Sequence, residues 1–485
     1  MNRQKRQKRR PLLRRILRGI LWLILAYLAL NIVAGYLPFA RLPELDAETT
    51  AALEARAEQM QGDADTGDRA MLLEDSSEGL DERIRLIHRA QREIVIVTYE
   101  CHDGESTRDI LAAALERAAA GVRVRFLVDG IAGRLDHMDE DLFRAVAIHS
   151  NVEVRFYNLI TQLTPWRHMG RMHDKYVIVD DAAYILGGRN MFDKFLGDYP
   201  SASRSVDREV LVYNGENRAD SSLFQLREYF EGMWNHPYTT PFHAQRRIGE
   251  ARRQAVYDGL SQRLEGLRAR RPELFADFDY AAATVETRGV WLVSNPTTIY
   301  AKAPVVFGQL RALMERAGDN VVLHSPYAIL NRAMRDALAG IAAKTPVTLM
   351  VNAVENGANL VASGDYLFHR GSVLSTGVRL LEYAGGDSYH GKAVAIDDNL
   401  SVIGSFNLDL RSAHVDTELM LVIRGRDFNA QLRRNMEALH ADCREITPDG
   451  AERLPDGLVI APLPWWKRAG IACLGLLLQP FRNLL

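Results

Sequence analysis

The stretch Arg171-Met-His173-Asp-Lys175-Tyr-Val-Ile-Val-Asp180 decides the fold of this chain, because its pattern occurs a second time. The second copy reads Tyr389-His390-Gly-Lys392-Ala-Val-Ala-Ile-Asp397. In both copies a lysine lies two residues after a histidine, and an aspartate lies five residues after the lysine. Each copy continues at one identical offset into a glycine-containing turn and an asparagine, Asn190 in the first and Asn407 in the second. A match of this length, found twice, indicates two halves that share one function.

The spacing within each copy predicts how its polar side chains are arranged. A histidine and a lysine two residues apart lie on the same side of an extended strand. The apolar residues that follow continue the strand into the core, and the glycine-containing turn brings the asparagine back beside the pair. Each set then offers a nucleophile or acid, a fixed positive charge and an amide donor, which together make half of a phosphate site. Two such halves that face each other would make a whole site.

The sequence around the two motifs predicts two similar α/β repeats, residues 80–240 and 286–462. In the first repeat we expect strands at 93–99, 122–128 and 152–157 and helices at 80–90 and 107–120. In the second repeat we expect strands at 320–324, 346–352 and 378–383 and a helix at 331–343. Continuous apolar strands that alternate with helices predict a sheet buried on both faces. Residues 241–285 are predicted to be a connector, helical from about Ala244, with its many arginines in solvent.

The N-terminal 40 residues have the composition of a membrane anchor. The first 18 residues carry nine Lys or Arg and no acidic residue, and residues 19–37 are mostly apolar. Nineteen residues are just enough to span a hydrocarbon core. We therefore expect residues 1–40 to be an uncleaved transmembrane anchor. A cleaved signal peptide is the alternative, but the apolar run is long for one and no clear small-residue cleavage site follows. The basic flank should stay in the cytoplasm, which places the catalytic body on the extracytoplasmic side.

Two further segments lie outside the repeats. Residues 41–79 are acidic and polar, and we expect a spacer between anchor and body. Residues 463–485 are apolar but too short to span a membrane. Trp465 and Trp466 lie beside Lys467 and Arg468, a combination that suits the headgroup region of a bilayer. A helix at the membrane interface and a helix docked on the body both remain open.

Composition limits the classes of function. Of 485 residues, 47% are hydrophobic and 25% are charged, which is typical of folded proteins. Without its first 18 residues, the chain has 51 basic and 62 acidic side chains, a net charge of −11. This acidic balance argues against nucleic acid as a partner, because phosphate neutralisation needs a basic surface. The three cysteines, Cys101, Cys443 and Cys473, are far apart and predict neither a disulfide framework nor a zinc site.

The duplicated pattern His-x-Lys-x4-Asp-x6-Gly-x-x-Asn resembles the signature of the phospholipase D (HKD) superfamily, and the resemblance extends from about residue 80 to residue 443. The strings Arg171-Met-His-Asp-Lys and Gly187-Gly-Arg-Asn190, with Gly404-Ser-Phe-Asn-Leu-Asp-Leu-Arg-Ser412 and Glu418, are similar to the bacterial cardiolipin synthase branch, in particular its C-type members. This resemblance implies an α/β fold. It implies two similar halves that pack face to face with the active site between them, to which residues 1–40 add the expected N-terminal transmembrane helix.

The same resemblance implies phosphodiester chemistry through a covalent phosphohistidine, without a metal or cofactor. The implied catalytic residues are His173, Lys175, Asp180, His390, Lys392 and Asp397, the phosphate-binding residues are Asn190, Asn407 and Ser405, and the histidine-orienting residues are Glu418 and Asp207. We expect His173 to be the nucleophile and His390 the acid and base, and the two motif aspartates to fix strand ends. Glu209 is close enough to Asp207 in sequence to compete for its role. Gly188 stands where the second copy has Ser405, which removes one hydroxyl.

These observations predict a phosphatidyltransferase that makes cardiolipin from phosphatidylglycerol and a second phospholipid. Phospholipids and the membrane surface are its expected partners, and the bacterial cytoplasmic (inner) membrane is its expected location. A phospholipase D that releases phosphatidic acid is one alternative, since water and a lipid hydroxyl compete for the same intermediate. A membrane-tethered phosphodiesterase or nuclease, and a non-catalytic lipid-binding module, are the others.

Overall fold

The computed structural model describes residues 3–62, 65–135, 141–161, 163–242 and 248–485. The first two residues of the basic N-terminus, residues 63–64 of the expected spacer and the expected start of the connector helix at Ala244 lie outside these ranges. Two helices precede the first half, α1 (Arg3–Tyr36) and α2 (Ala47–Gln61). The segment Arg14–Phe39 begins within α1 and ends in the turn that follows it. This segment is long and apolar enough to cross a membrane.

The first half is a nine-stranded mixed sheet with helices on both faces. Its strands, with the short β7 that lies outside the sheet, are β1 (Arg69–Leu73), β2 (Glu93–Thr98), β3 (Arg123–Asp129), β4 (Val152–Tyr157), β5 (Tyr176–Val179), β6 (Ala183–Gly187), β7 (Ser205–Val206), β8 (Glu209–Tyr213), β9 (Thr239–Pro241) and β10 (Val285–Glu286). Its helices are α3 (Ser76–Arg89), α4 (Glu105–Ala119), α5 (Ala132–Leu135), α6 (Asp141–Ile148), α7 (Ser222–Trp234), α8 (Glu250–Arg270) and α9 (Tyr280–Ala283).

The second half repeats this plan. Its strands, with the short β15 outside the sheet, are β11 (Gly289–Ser294), β12 (Val321–His324), β13 (Val347–Asn352), β14 (Arg379–Tyr383), β15 (Ser388–Tyr389), β16 (Ala393–Ile396), β17 (Leu400–Gly404), β18 (Leu419–Arg424), β19 (Cys443–Ile446) and β20 (Glu452–Arg453). Its helices are α10 (Val305–Met314), α11 (Arg332–Ala342), α12 (Leu360–Leu374), α13 (Leu410–His414), α14 (Arg426–Ala438) and α15 (Trp465–Leu478).

The strand orders of the two sheets match along seven consecutive strands. The first sheet contains β1-β8-β6-β5-β2-β3-β4, and the second contains β11-β18-β17-β16-β12-β13-β14 in the same order. In each sheet the last three of these strands are parallel to one another, and the others pair antiparallel. The predicted strands and helices of both repeats are present, with small differences at their ends. Helix α3 begins before the predicted residue 80 because Asp75 and Glu78 form a capping box.

Both sheets are buried on both faces, as predicted, and the two halves share the inner layer. Helices α7 and α14 lie in this layer, where Phe230 and Phe428 are fully buried. Ile178 of the first sheet and Ala395 of the second sheet belong to the same apolar cluster. Because one continuous core joins the halves, the fold holds the two sheets face to face and fixes the position of one motif relative to the other.

The segment expected to be a spacer is part of the folded body instead. Helix α2 buries Leu53, Ala57 and Met60, and the Nε2 of Gln309 in α10 donates a hydrogen bond to the carbonyl of Leu53 at 3.1 Å. Strand β1 lies inside the first sheet, between β8 and β10. The overall acidity of residues 41–79 concealed an apolar residue every third or fourth position in α2 and an apolar run in β1.

The connector also differs from its prediction, because its arginines are not simply solvated. In α8, Arg263 pairs with Asp109 at 2.6 Å and Arg268 with Glu116 at 2.7 Å. Both acidic partners are in α4, so the helix is fastened to the first half. The segment predicted as connector also ends in strand β10, which pairs with β1.

Candidate active site

The two motifs enter the sheets at corresponding places, just before strands β5 and β16. Each motif is joined to the other half of the molecule by backbone hydrogen bonds. The amide of His173 donates to the carbonyl of Thr417 at 3.3 Å, and the amide of His390 donates to the carbonyl of Val206 at 2.7 Å. Strand β15 pairs with β7 across the same boundary. The two histidines are therefore held between the halves and related by an approximate two-fold arrangement.

Each histidine is bonded to a carboxylate of the opposite half. The Nδ1 of His173 lies 2.9 Å from Oε1 of Glu418, and the Nδ1 of His390 lies 2.6 Å from Oδ2 of Asp207. Both carboxylates are fully buried. Glu209 does not compete with Asp207, because it forms ion pairs with Arg83 instead. A carboxylate on Nδ1 fixes the tautomer of a neutral imidazole and leaves Nε2 free to react.

Ser405 is placed differently from its implied phosphate-binding role. Its hydroxyl donates to Oε2 of Glu418, and the hydroxyl of Ser412 donates to Oε1 at 2.6 Å. Ser405 therefore supports the carboxylate and does not face the cleft. In the first half, a Cβ on Gly188 would lie 2.4 Å from Oδ1 of Asp207. A serine there has no room, because the shorter aspartate keeps its carboxylate close to the backbone.

The motif lysines are buried beside their histidines. The Nζ of Lys175 donates to the carbonyl of His173, and the Nζ of Lys392 donates to the carbonyl of His390 and lies 3.1 Å from its Nε2. Burial lowers the pKa of Lys175 to about 8 and that of Lys392 to about 7. Two cations at this depth favour a bound anion.

The carboxylates bonded to the two histidines have pKa values that are shifted in opposite directions. Burial, followed by Lys175 and Lys392, lowers the pKa of His173 well below its ordinary value. Burial and Lys392 lower the pKa of His390 to about 3, while Asp207 acts in the opposite direction. Burial raises the pKa of Glu418 to about 7. Burial also acts to raise the pKa of Asp207, but His390, Lys392 and Arg189 together outweigh it and hold this pKa below the ordinary value.

The motif asparagines lie beside the histidines in the cleft. The Nδ2 of Asn190 donates to Oε2 of Glu100 at 3.0 Å. The Oδ1 of Asn407 is buried without a hydrogen-bond partner among the described residues. Both side chains line the same cleft as His173 and His390.

The motif aspartates lie at the other ends of their strands, where they bind backbone. Asp180 accepts hydrogen bonds from the amides of residues 91, 92 and 93, and Asp397 accepts them from residues 318, 319 and 320. Both residues have positive φ angles, 50° and 47°. Neither residue lines the cleft, and their contacts fit the expected role in fixing strand ends.

The cleft between the motifs encloses about 470 Å³ and has polar and apolar walls. Sequence reasoning missed several of its residues. The ring of Tyr99 packs edge-on against His173, with centroids 5.2 Å apart. Arg411 pairs with Asp416 at 2.8 Å, and Leu484 and Leu485 from the far end of the chain reach the same wall. Tyr99 ends a predicted strand and Arg411 lies in the string after Asn407, so these two carried a local signal in the sequence.

A metal site is not evident. The described residues contain no group of three or more His, Cys, Asp or Glu side chains that could hold an ion. The donors around the cleft are instead arranged as two histidine–carboxylate pairs and two lysines.

Comparisons with known proteins agree with this architecture. The family model described as cardiolipin synthase, PLD-like domain matches residues 84–234 and 310–440, more than half of the chain. An uncharacterised Helicobacter pylori protein is 25% identical over 406 residues, which cover 76% of this chain and 78% of that protein. Cardiolipin synthase B of Salmonella typhi is 25% identical over 407 residues, covering 83% of this chain and 85% of that one. The crystal structure of phosphatidylserine synthase from Haemophilus influenzae has a similar fold, with a TM-score of 0.63 and 14% identity over 89% of this chain and all of that one.

Proposed function

Because this chain belongs to the cardiolipin synthase, PLD-like domain family, we propose that it transfers a phosphatidyl group between phospholipids and makes cardiolipin. Phosphatidylglycerol and a second phospholipid are the substrates. The crossed pairing of His173 with Glu418 and of His390 with Asp207 carries the proposal, because it prepares two imidazoles for successive displacements at one phosphorus. The curated relatives named cardiolipin synthase support this choice of lipid.

His173 acts as the nucleophile in the first displacement. Its Nδ1–H donates to Glu418, so the lone pair on Nε2 points away from the carboxylate and attacks phosphorus. The P–N bond forms as the P–O bond to the headgroup alcohol breaks. Since its lowered pKa keeps the imidazole neutral at pH 7, no proton has to leave before the attack.

His390 acts as the acid and then as the base. Burial and Lys392 lower the pKa of His390 to about 3, and Asp207 opposes them. The negative charge of a bound phosphodiester raises this pKa further, so that His390 takes up a proton from solvent and gives it to the departing alkoxide. In the second displacement the hydroxyl of the acceptor lipid gives its proton to Nε2 of His390 and attacks phosphorus. The P–N bond breaks, cardiolipin leaves, and both histidines return to their starting states.

Lys175 and Lys392 hold the non-bridging oxygens of the phosphate, with Asn190 and Asn407 as amide donors. Charge on these oxygens increases in each transition state, and a preorganised cation in a buried site stabilises it strongly. A bound phosphate anion in turn raises the pKa of both lysines toward their ordinary values. Each lysine therefore contributes most at pH values where it stays protonated.

Product analysis with purified protein tests the proposal. Vesicles of phosphatidylglycerol, with and without phosphatidylethanolamine, are incubated with the full chain, and the lipids are identified by mass. We expect cardiolipin, none from His173→Ala, and near-normal amounts from His168→Ala as the matched histidine control. Phosphatidic acid as the only product would assign hydrolysis instead. Identical products from wild type and His173→Ala would refute catalysis at this site. Chelators should leave the activity unchanged.

We place the protein in the bacterial cytoplasmic membrane, with helix α1 as its anchor and the body on the extracytoplasmic side. The basic residues before the apolar part of α1 support this orientation. Fusions of paired topology reporters after residue 60 test it. A reporter that is active only in the cytoplasm would contradict the orientation without affecting the proposed chemistry.

A further inference from the structure

Helix α15 carries apolar side chains on the face that points away from the body. Trp465 and Trp466 are 81% and 63% exposed, and Leu476 and Leu477 are 61% and 71% exposed. A helix on the surface of a water-soluble body normally presents polar residues outward. Two tryptophans and two leucines on one exposed helix therefore mark a contact surface, because scattered single apolar residues would not need explanation.

The opposite face of α15 is fixed to the body by close backbone contact. Ile471 and Gly475 pack against α12, and a Cβ added to Gly364 would lie 3.0 Å from the Cα of Gly475. Below the helix, Arg482 forms an ion pair with buried Asp365 at 2.8 Å. Helix α15 is docked on the body, which was one of the two alternatives that the sequence left open. Its orientation leaves the tryptophans and leucines facing outward.

The exposed face of α15 is continuous with the end of helix α1. The ring of Phe481, just after α15, packs edge-on against Tyr36, with centroids 5.3 Å apart. The Nδ2 of Asn483 donates to the carbonyls of Phe39 and Ala40 at 3.0 and 3.2 Å. Helix α1 is exposed and apolar over the length needed to cross a membrane. If α1 crosses a bilayer, the place where it leaves the body lies at the bilayer surface, and the segment that follows α15 adjoins that place.

A second apolar element lies on the other side of the end of α1. The turn at Pro165–Arg167 packs against α1, and a Cβ on Gly35 would lie 3.3 Å from the carbonyl of Pro165. In and before this turn, Leu163 is 85% exposed and Trp166 is 44% exposed. Two segments with exposed apolar side chains therefore contact the end of the anchor.

We propose that these residues form one membrane-contact face, made of Leu163, Trp166, Trp465, Trp466, Leu476 and Leu477, which inserts into the bilayer surface around the anchor. Tryptophans beside Lys467 and Arg468 suit the headgroup level, where anionic phosphates meet the basic side chains. The proposal rests on one part of the proposed function, namely that α1 anchors the protein in a membrane. It does not depend on which reaction the cleft catalyses.

This face also determines what the cleft opens onto. Leu484 and Leu485 follow α15 and line the cleft together with His173 and His390. The backbone amide of Arg411 donates to the carbonyl of Leu485 at 2.7 Å, which holds this segment on the cleft wall. The chain segment after α15 therefore runs from the membrane-contact face to the wall of the cleft. On this proposal a phospholipid reaches the histidines past Leu484 and Leu485 while its acyl chains stay in the bilayer.

The native cysteines allow a direct test on the full chain. Cys473 is exposed on α15, whereas Cys101 and Cys443 are buried. A nitroxide label on Cys473, in nanodiscs of phosphatidylglycerol and phosphatidylethanolamine, reports its surroundings through collisions with oxygen and with a water-soluble nickel chelate. We expect high oxygen access and low nickel access. The matched control is Asp398→Cys in a Cys473→Ser background, at the exposed end of β16 away from the cleft, where nickel access should be high.

Two results would overturn the proposal. Equal nickel access at Cys473 and Asp398→Cys would mean that α15 faces water. Low access to both reagents would mean that protein covers the helix, for example a second copy of this chain. A functional variant adds an independent measurement. Leu476→Glu with Leu477→Glu changes only exposed positions, so we expect at least a tenfold loss of product in vesicles and less than a twofold loss with short-chain lipid in detergent. Equal losses in both media would refute the role of the face. The label depth remains interpretable even if no cardiolipin forms.

Discussion

The substitution Gly188→Ser tests whether the carboxylate on the opposite half controls His390. The serine stands at the position of Ser405 in the other half, and nothing in the backbone of Gly188 forbids a side chain, since its φ is not positive. The obstacle is contact. A Cβ there lies 2.4 Å from Oδ1 of Asp207, about 1 Å closer than ordinary van der Waals contact allows. Asp207 must move, and its 2.6 Å bond to His390 is lost or lengthened.

The expected loss of kcat follows from the strength of the hydrogen bond between Asp207 and His390. A hydrogen bond to a charged group contributes about 1.5–3 kcal/mol. Because about 1.4 kcal/mol corresponds to a tenfold change in rate, kcat should fall about 10- to 150-fold. KM should change little, since neither Gly188 nor Asp207 reaches the cleft surface.

A second substitution should rescue the first. Asp207→Glu with Gly188→Ser recreates the arrangement in which Ser405 donates to Glu418 and Glu418 holds the opposite histidine. We expect the double variant to recover at least tenfold of the lost kcat, while Asp207→Glu alone is also impaired. The coupling energy in this double-mutant cycle should be about 1–2 kcal/mol.

Initial rates of phosphatidylglycerol conversion in mixed micelles provide the assay, with Gly232→Ser as the matched control because a side chain there meets nothing within 4 Å. Activity of Gly188→Ser within threefold of wild type would refute the steric reasoning. A double variant no better than the single one would refute the equivalence of the two carboxylate arrangements.

Three further predictions concern the motifs. His390→Ala should still form a phosphoenzyme from substrate labelled at phosphorus, while turnover falls about 10²- to 10⁴-fold, the range for a lost general acid. His173→Ala should form no phosphoenzyme. If His173→Ala were labelled, the roles assigned to the two histidines would have to be exchanged. Asp180→Ala leaves three backbone amides without their acceptor at about 1 kcal/mol each, so calorimetry should show a lower Tm while kcat per folded molecule stays within about threefold; an unchanged Tm with lost kcat would contradict a structural role. With pKa values of about 8 for Lys175 and about 7 for Lys392, rising pH removes their charges, so kcat/KM should decline above about pH 7 and more steeply above about pH 8 at constant ionic strength. A value of kcat/KM still rising at pH 9.5 would contradict this.

The sequence was sufficient to predict those parts of the fold and of the site that depend on a local pattern of residues. The spacing of His173, Lys175 and Asn190, repeated from His390, indicated two halves and the strands that carry the motifs. Apolar periodicity identified most of the central strands and helices. These signals are local because one face or both faces of each element are buried, and burial requires apolar residues at fixed intervals.

The sequence could not reveal contacts that join distant parts of the chain. Asp207 follows the first motif, yet it holds the histidine of the second, because β7 pairs with β15 across the boundary between the halves. Ser405 looked like a phosphate ligand because it adjoins Asn407, but its hydroxyl turns to Glu418. Strand β1 was hidden in an acidic segment, since a central antiparallel strand of five residues leaves little periodicity to detect.

The crossed carboxylates explain how two nearly symmetric histidines can take different roles. Glu418 accepts hydrogen bonds from the hydroxyls of Ser405 and Ser412 as well as from His173, and burial raises its pKa to about 7. Burial, Lys175 and Lys392 lower the pKa of His173, which keeps it in the neutral form that the proposed nucleophile requires. Asp207 has no serine beside it, because Gly188 leaves no room for one, and its charge is directed at His390. Asp207 raises the pKa of His390 against burial and Lys392, so the imidazolium that the proposed acid requires depends on this carboxylate. The two halves differ because Glu418 is one methylene longer than Asp207 and because Gly188 lacks the hydroxyl of Ser405. Each histidine is bonded to a carboxylate of the opposite half, so neither half contains a complete histidine–carboxylate pair.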